Sequence, residues 1–366
     1  MSITAQVATA QDLPAISELA NRIFRAHRPG QRMQDGFPYL YHPDNAEHWY
    51  VAKDQDRIVS IVGSMVWPAA IAGTNTRVAS VGSVATDPQY RRLGLAGQLL
   101  ALAQTQLAQE SVRIMLISGS LPIYQRFGAR AIGQVEWYAW HSAISLIPYE
   151  VRPIEPGEDA AMVAALYQTR PTRFGRTLAQ LQAMLKTQPI TTVEQGTKVA
   201  QLVSDEGRPL SYFIVNHHPF HGQAPSRLVE WGGDPKSLLY GLSHFFNRPD
   251  DAVHIPVLYD DITLRSQLQP MLPFQIGPVS WLAKIIDGPG LFHDLSSLLA
   301  ELTVEPIDLS QVAVDQYALR WRQGHALVDA ATLTEWIFAH NSQTRPNALN
   351  TVFPLPALWT EGLNYI

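Results

Sequence analysis

The order of hydrophobic and polar residues switches repeatedly between a period of two and a period near 3.6 over the first 145 residues. "SITAQVA" alternates as a strand does. Asp12 then stands where a helix cap belongs, and Ile16, Leu19, Ala20 and Ile23 follow at the spacing of one buried helical face. Residues 37–50, "FPYLYHPDNAEHWY", are aromatic and polar without either period. Strands are predicted near 49–53, 57–66 and 77–86, then a helix whose face carries Leu95, Leu99, Leu102 and Ala103. "RIMLISGS" reads as a short buried strand, "IYQRFGARAI" as a short helical turn, and residues 134–142 as a closing strand.

The same order then returns faintly. "VRPIEPGEDAAMVAALYQ" repeats strand, acidic cap and helix, with Asp159 in the place of Asp12 and Val163, Leu166 and Tyr167 on the apolar face. "SRLVEWGGDPKSLLYGLSHFF" repeats strand, glycine turn and apolar helix. A second copy of the first domain over 146–286 is the economical reading. From 287 the pattern changes to a leucine-rich helix (Leu291, Leu295, Leu298, Leu299, Leu302), an alternating "QYALRWR" and a helix carrying Leu333, Trp336 and Ile337. Chain ends are usually polar and frayed, so Trp359, Leu363, Tyr365 and Ile366 predict a docked tail. Pro-bearing stretches near 148–157 and 286–290 are the expected domain joints.

Composition narrows this picture. A length of 366 residues calls for more than one core, and 46% apolar against 16% charged residues is a well-buried balance. A net charge of −5 gives no general attraction to nucleic acid or to an anionic membrane, so any anion site has to be local. With no cysteine, disulfides, Cys-ligated zinc and a cysteine nucleophile are excluded. The opening residues have neither a basic nor an apolar leader region, and "SIVGSMVWPAAIAG" is too short for a bilayer and interrupted by Pro68. The expectation is a cytoplasmic protein.

That local anion site is expected at "PQYRRLGLAGQLL", residues 88–100. Gly94 and Ala96 leave the backbone N–H groups of a helix start unblocked, and Arg91 and Arg92 add full positive charge beside them. A strand before, an amphipathic helix after and a second buried strand ending in "ISGS" complete the setting. The arrangement suits a polyphosphate.

In this setting Arg91-Arg92-Leu93-Gly94-Leu95-Ala96 matches the Q/R-x-x-G-x-G/A acyl-CoA loop, and residues 1–145 resemble a GCN5-related N-acetyltransferase (GNAT) domain. The whole chain resembles the Eis (enhanced intracellular survival) family: tandem GNAT domains, 1–145 catalytic and 146–286 degenerate, then a small sterol-carrier-protein-like domain, 287–366. The resemblance implies an α/β (α+β) fold in which each GNAT copy is a mixed twisted sheet flanked by helices. It further implies acetyl-CoA as co-substrate, no metal, an amine acceptor such as an aminoglycoside or lysine, and homo-oligomeric assembly.

Acetyl transfer from a thioester to an amine needs a held donor, a stabilised carbonyl oxygen, a neutral amine and a proton for the departing thiolate. By resemblance, Ser83, Val84 and Ala85 offer backbone groups to the pantetheine arm, Gly119 and Ser120 close the other wall, and Tyr124 is the general acid. A phenol stays protonated at neutral pH and can donate. The base implied is the carboxylate of Ile366, although the closing Asn364-Tyr365-Ile366 departs from the family's aromatic end; Asp35, Glu47 and Glu136 are the rivals, read as solvated surface carboxylates.

The turn "EWGGDPKS" of the second copy carries Glu230 and Asp234 in place of arginines, so that copy is expected not to bind CoA. His217, His218 and His221 read as loop residues and not as a metal site, for want of neighbouring carboxylates. Segment 37–50 either contacts substrate or simply packs on the first domain. The rival to an enzyme is a non-catalytic acyl-CoA or lipid-binding protein on the same fold, and transfer of a longer acyl or an aminoacyl group is a third reading.

Overall fold

A computed structural model describes residues 3–28, 30–141, 149–187, 196–218, 225–246, 252–277 and 279–366. The chain divides into two compact units: residues 1–132, 280–355 and 366 in one, and 133–279 with 356–365 in the other.

The first unit is built on β1 (Ile3–Val7), α1 (Leu13–Phe24), α2 (Met33–Gly36), β2 (Trp49–Asp54), β3 (Arg57–Ile71), β4 (Thr74–Thr86), α3 (Leu95–Gln109), β5 (Ile114–Ser118), α4 (Pro122–Arg126) and β6 (Arg130–Ala131). β1 to β4 pair antiparallel in order, and β4 and β5 pair parallel across the α3 crossover. Leu95, Leu99, Leu100, Ala103 and Leu107 of α3 bury against Val62, Ala79, Val81, Met115 and Ile117. Burying one such side chain is worth about 1.5–3 kcal/mol, so this face anchors the crossover. β3 runs past the expected end at 66 and includes Pro68. Its pairing with β2 ends at Gly63, so the missing N–H of Pro68 breaks no bond of that ladder.

Asp12 does not cap α1 with its side chain. It is helical itself (φ −82°, ψ −18°), closes the turn before α1, and its carboxylate reaches back to the Thr9 N–H at 3.0 Å and to Lys53 Nζ at 2.6 Å. Asp159 does the same at the second helix, accepting from the Glu155 N–H at 2.8 Å and from Arg152.

The second unit holds β7 (Val135–His141), β8 (Glu150–Pro153), α5 (Ala160–Gln168), β9 (Arg173–Phe174), α6 (Leu178–Lys186), β10 (Thr197–Asp205), β11 (Arg208–His217), β12 (Ser226–Gly233), α7 (Pro235–Phe245), β13 (Ala252–Leu258), α8 (Ile262–Leu268) and β14 (Phe274–Gly277). Its sheet order is β14-β7-β13-β12-β11-β10-β8. The series β8, β10, β11, β12, β13 repeats the pairing senses of β1 to β5: antiparallel throughout, with one parallel pair across a helix.

The divisions expected at 145 and 286 do not coincide with these units, and the first lies in residues 142–148, outside the described residues. The strand expected to close the first domain, β7, pairs with β13 and β14, and its Tyr138 and Trp140 belong to the second core. β15 (Trp281–Ile285), expected in the second domain, pairs with β5 and β6 of the first. All five of its residues are buried, which suits an interior position in a sheet.

Residues 287–355 form no separate unit. They comprise α9 (Gly288–Asp294), α10 (Ser296–Leu302), the three-stranded sheet β16 (Asp308–Ala313), β17 (Gln316–Trp321) and β18 (Gly324–Asp329), and α11 (Ala330–Phe338). Polar bonds tie them to the first unit: Arg113 to Asp294 at 2.9 Å and to Asp287, and the buried Lys284 to Asp315 at 2.7 Å. The tail is docked, as its composition predicts: Trp359 Nε1 donates to the Val229 carbonyl at 2.8 Å in the second unit.

Candidate active site

The site begins where β4 stops behaving as a regular strand. Its register against β3 breaks: Ile61 pairs with Ala85 and Gly63 with Gly82, so Val62 alone faces Ser83 and Val84. Ser83 adopts φ +49°, the left-handed region that a bulge uses to re-aim the chain. On the other side, the parallel ladder to β5 ends at Val81–Ile117. Ser118 Oγ donates to the Val81 carbonyl at 3.3 Å just as the strands part. Backbone groups of residues 82–85 thus lie beyond the ladder with β5, an edge on which an extended amide-bearing arm can add like a strand.

The arginine loop follows, held by a residue that the sequence reading missed. Asp87, buried, accepts from Arg22 Nη2 at 2.8 Å, from Arg57 Nη2 at 2.6 Å and from the Gln89 N–H at 3.0 Å. The Asp-Pro pair after a strand was the available signal for such a turn. Arg91 and Arg92 are exposed, and Arg91 Nε lies 3.4 Å from the Thr86 carbonyl. Gly94 opens α3 at φ +76°, and neither Gly94 nor Gly97 has any heavy atom within 4 Å of where a Cβ would stand. Leu95 is buried, Ala96 is half-buried, and Leu93 remains 51% exposed. The first N–H groups of α3 have no intrahelical acceptor, and the chain just before them carries two cationic side chains.

Gly119, at φ +98°, ends β5, and its N–H donates to the Ser280 carbonyl at 3.2 Å. Ser120 beside it is exposed. A Cβ on Gly119 would stand 3.9 Å from the Tyr124 ring, so that phenol lines the end of β5. Tyr124 is buried, in the cluster that contains Leu95 and Ala129. Ile366 comes to the end of β4: a Cβ on Gly82 would fall 2.5 Å from its main-chain oxygen. Tyr41 donates to Ser83 Oγ at 3.3 Å, and burial pushes its phenol pKa well above the usual value. The fold therefore gathers residues 82–85, 119, 124 and 366 at the carboxyl ends of two parallel strands, the usual place for a ligand in such sheets.

Segment 37–50 is chiefly packing. Phe37, Leu40, Trp49 and Tyr50 are buried, Tyr41 and Trp49 lie with ring centroids 4.9 Å apart, and Tyr41 alone is shown reaching Ser83. Among the rival bases, Asp35 is paired with Arg32 at 2.9 Å on the surface and Glu47 is exposed. Glu136 is not the surface carboxylate expected. It is buried in the second unit, where Tyr138 donates to it at 2.5 Å and Arg265 at 3.1 Å. Asp234 caps α7 through the Ser237 N–H at 2.7 Å. His217 Nδ1 lies 2.9 Å from Ser226 Oγ, and His221 is outside the described residues. Among the described residues no three His, Asp or Glu side chains are grouped to hold a metal, and no helix is long and apolar enough to cross a membrane.

Residues 4–132 match the family description "Acetyltransferase (GNAT) domain". Over this third of its length the chain is similar to an N-acetyltransferase domain. Within this chain, 67 residues are 33% identical to the uncharacterized N-acetyltransferase YitH of Bacillus subtilis (strain 168), covering 18% of this chain. The match spans about a quarter (24%) of that relative's length. The fold is similar to the GCN5-related N-acetyltransferase of Anabaena variabilis ATCC 29413 (TM-score 0.68, 14% identity, 92% of this chain and 91% of that one). It is also similar to Eis1 of Mycobacterium abscessus (TM-score 0.63, 15% identity, 97% of each chain). At such identities the likeness is one of fold, a mixed α/β architecture shared over nearly the whole length.

Proposed function

We propose that the chain is an acetyl-CoA-dependent N-acetyltransferase that moves acetyl directly to a primary amine. The observation that supports it most is the broken register at residues 82–85 beside a parallel ladder that stops at Val81–Ile117. Ser83, Val84 and Ala85 bind the pantetheine arm, and one of their N–H groups polarises the thioester carbonyl. Arg91, Arg92 and the N–H groups from Leu93 to Ala96 hold the pyrophosphate. Gly119 and Ser120 form the opposite wall.

The amine nitrogen attacks the thioester carbon, the C–S bond breaks, and the thiolate takes the Tyr124 proton. The proton lost by the amine goes to the Ile366 carboxylate, directly or through water. With no cysteine in the chain, an acyl-cysteine intermediate is not part of this route. The acceptor class, a small polycationic amine such as an aminoglycoside or a lysine, rests on the Eis-like pattern. The second unit, whose strand order echoes the first and whose α7 start is filled by Asp234, acts as a degenerate copy that does not bind CoA.

Calorimetric titration with acetyl-CoA, wild type beside Arg92→Glu, tests this. Micromolar binding abolished by the charge reversal supports the loop assignment, and no binding to the wild type overturns it. Tyr124→Phe then separates enzyme from binder: kept affinity with lost turnover supports catalysis, whereas absence of turnover in the wild type against a panel of amines favours the acyl-CoA-binding reading.

A further inference from the structure

Side chains of β4 alternate between the two faces of the sheet as far as Val81, which joins Ala79 in the core that α3 covers. A regular strand would send Ser83 to the same core. The bulge changes the parity: Val84 packs there instead, and Ser83, at φ +49°, bonds to Tyr41 of segment 37–50. A serine in the left-handed region is uncommon, and such backbone gathers at functional sites. Here it falls within the residues assigned above to the thioester.

The bond between the two hydroxyls has a direction. Tyr41 Oη donates to Ser83 Oγ at 3.3 Å. Tyr41 is buried, with its ring centroid 4.9 Å from that of Trp49. Burial lifts its phenol pKa well above the usual value, against smaller opposing effects of Ser83 and Arg25, so this donor keeps its proton. Ser83 Oγ therefore accepts, and its own proton is bonded to no acceptor among the described residues. A hydroxyl whose oxygen accepts a bond is a stronger donor, because each bond in a chain polarises the next. The residue before it, Gly82, is the one that Ile366 overlies. The open donor and the proposed base thus stand at consecutive residues of β4.

We propose that Ser83 is a catalytic residue through its side chain: its hydroxyl donates to the thioester carbonyl oxygen alongside a backbone N–H, and Tyr41 is the positioning residue that aims it. The inference rests on the acetyl-transfer reading and adds a side-chain donor to it. No proton changes hands in this pair. As the amine nitrogen bonds to the carbonyl carbon, the carbonyl oxygen gains negative charge and draws the Ser83 proton closer. The Tyr41 bond then strengthens in turn. The stabilisation is greatest in the transition state, so it raises kcat and leaves acetyl-CoA affinity little changed.

The test combines steady-state kinetics on a panel of amines, calorimetry with acetyl-CoA, and isotope-edited infrared spectroscopy of the bound thioester carbonyl, all on the full chain. Ser83→Ala and Ser83→Gly both remove the hydroxyl, and glycine accepts the left-handed backbone without strain. Each is expected to lower kcat about 10²-fold and to leave the Kd for acetyl-CoA within about two-fold. Each should also move the carbonyl band back toward its frequency in free acetyl-CoA. Tyr41→Phe costs less, and because the pair acts in series it adds nothing to Ser83→Ala in the double variant. Activity kept in Ser83→Gly but lost in Ser83→Ala assigns the effect to the backbone and overturns the proposal. So does a carbonyl band unmoved in both Ser83 variants, or a Tyr41→Phe effect undiminished in the Ser83→Ala background. The infrared band separates this proposal from the reading beneath it. A wild type that shifts the band yet acetylates no amine refutes the transferase and upholds the donor, whereas a wild type that binds no acetyl-CoA overturns both.

Discussion

The main-chain oxygen of Ile366 packs so closely over Gly82 that a Cβ at residue 82 would lie 2.5 Å from it. Glycine is required there for that approach, at the residue where the β3–β4 register breaks. Gly82→Ala is therefore expected to displace the last residue while leaving the arginine loop in place. If Ile366 accepts the amine proton, kcat falls at least ten-fold, because misplacing a catalytic group by about 1 Å costs on that order. The Kd for acetyl-CoA changes less, and Tm stays within a few degrees. An unchanged kcat in steady-state assays would remove Ile366 from the chemistry.

Asp87 ties the start of the arginine loop to two other elements through Arg22 and Arg57. Both arginines are about half exposed (47% and 51%), so solvent screens the pairs and their joint contribution is about 1–2 kcal/mol. The larger effect of Asp87→Ala should fall on binding, since the turn that aims Arg91 and Arg92 loses its cap at Gln89. Calorimetry should show acetyl-CoA affinity weakened about ten-fold with Tm lowered by only a few degrees. A loss of Tm without a loss of affinity would mean that the loop keeps its shape unaided.

The arginine loop, the buried face of α3 and the Asp234 cap could be read from the chain because each depends on residues close in sequence. The bulge at Ser83 could not, since it is a mismatch between β4 and a partner strand about twenty residues earlier. The destinations of β7 and β15 were hidden for a similar reason. Both segments read as strands, and hydrophobic pattern says nothing about which of two sheets accepts a strand. Glu136 looked like a surface carboxylate because its partner, Arg265, lies far along the chain. Gly82 carries no local signal at all; its role comes from the tail.

Asp159 makes a pH dependence predictable. Hydrogen bonding from Arg152 holds its carboxyl below the usual aspartate range, and the Glu155 N–H adds to this against the opposing effect of burial. A carboxyl with a lowered folded pKa stabilises fully above its unfolded pKa near 3.8, and that contribution is lost as pH falls through the lower folded value. The second unit should therefore lose part of its thermal stability only below about pH 4. Asp159→Asn should lower Tm at pH 7 and flatten the acid limb of the Tm–pH curve. An acid limb of unchanged steepness would assign the loss to other carboxylates of the second unit, Glu230 foremost.

The most costly single change in the second unit should come from its buried ion pair. Arg176 and Glu230, each 4% exposed, are joined by two bonds of 2.8 and 2.6 Å, and the tail is threaded into them. Asn364 Oδ1 accepts from Arg176 Nε at 2.6 Å, while the Leu363 N–H and Tyr212 hydroxyl donate to Glu230 at 3.1 and 2.9 Å. Burial alone would raise the Glu230 pKa; Arg176 more than offsets this and holds it below the usual range. Glu230→Gln keeps the shape but leaves a buried guanidinium without its counter-charge, a loss of about 3–5 kcal/mol. Arg176→Met added to it removes that charge, and although the single glutamine oxygen can replace only one of the two acceptors used by the Tyr212 hydroxyl and the Leu363 N–H, the double variant should be more stable than Glu230→Gln alone. The double-mutant cycle in Tm, with limited proteolysis after Leu355 as the readout for the tail, decides the matter. Strict additivity would show that the two side chains act separately, and that the tail is held by Trp359 and the Arg227–Glu361 pair instead.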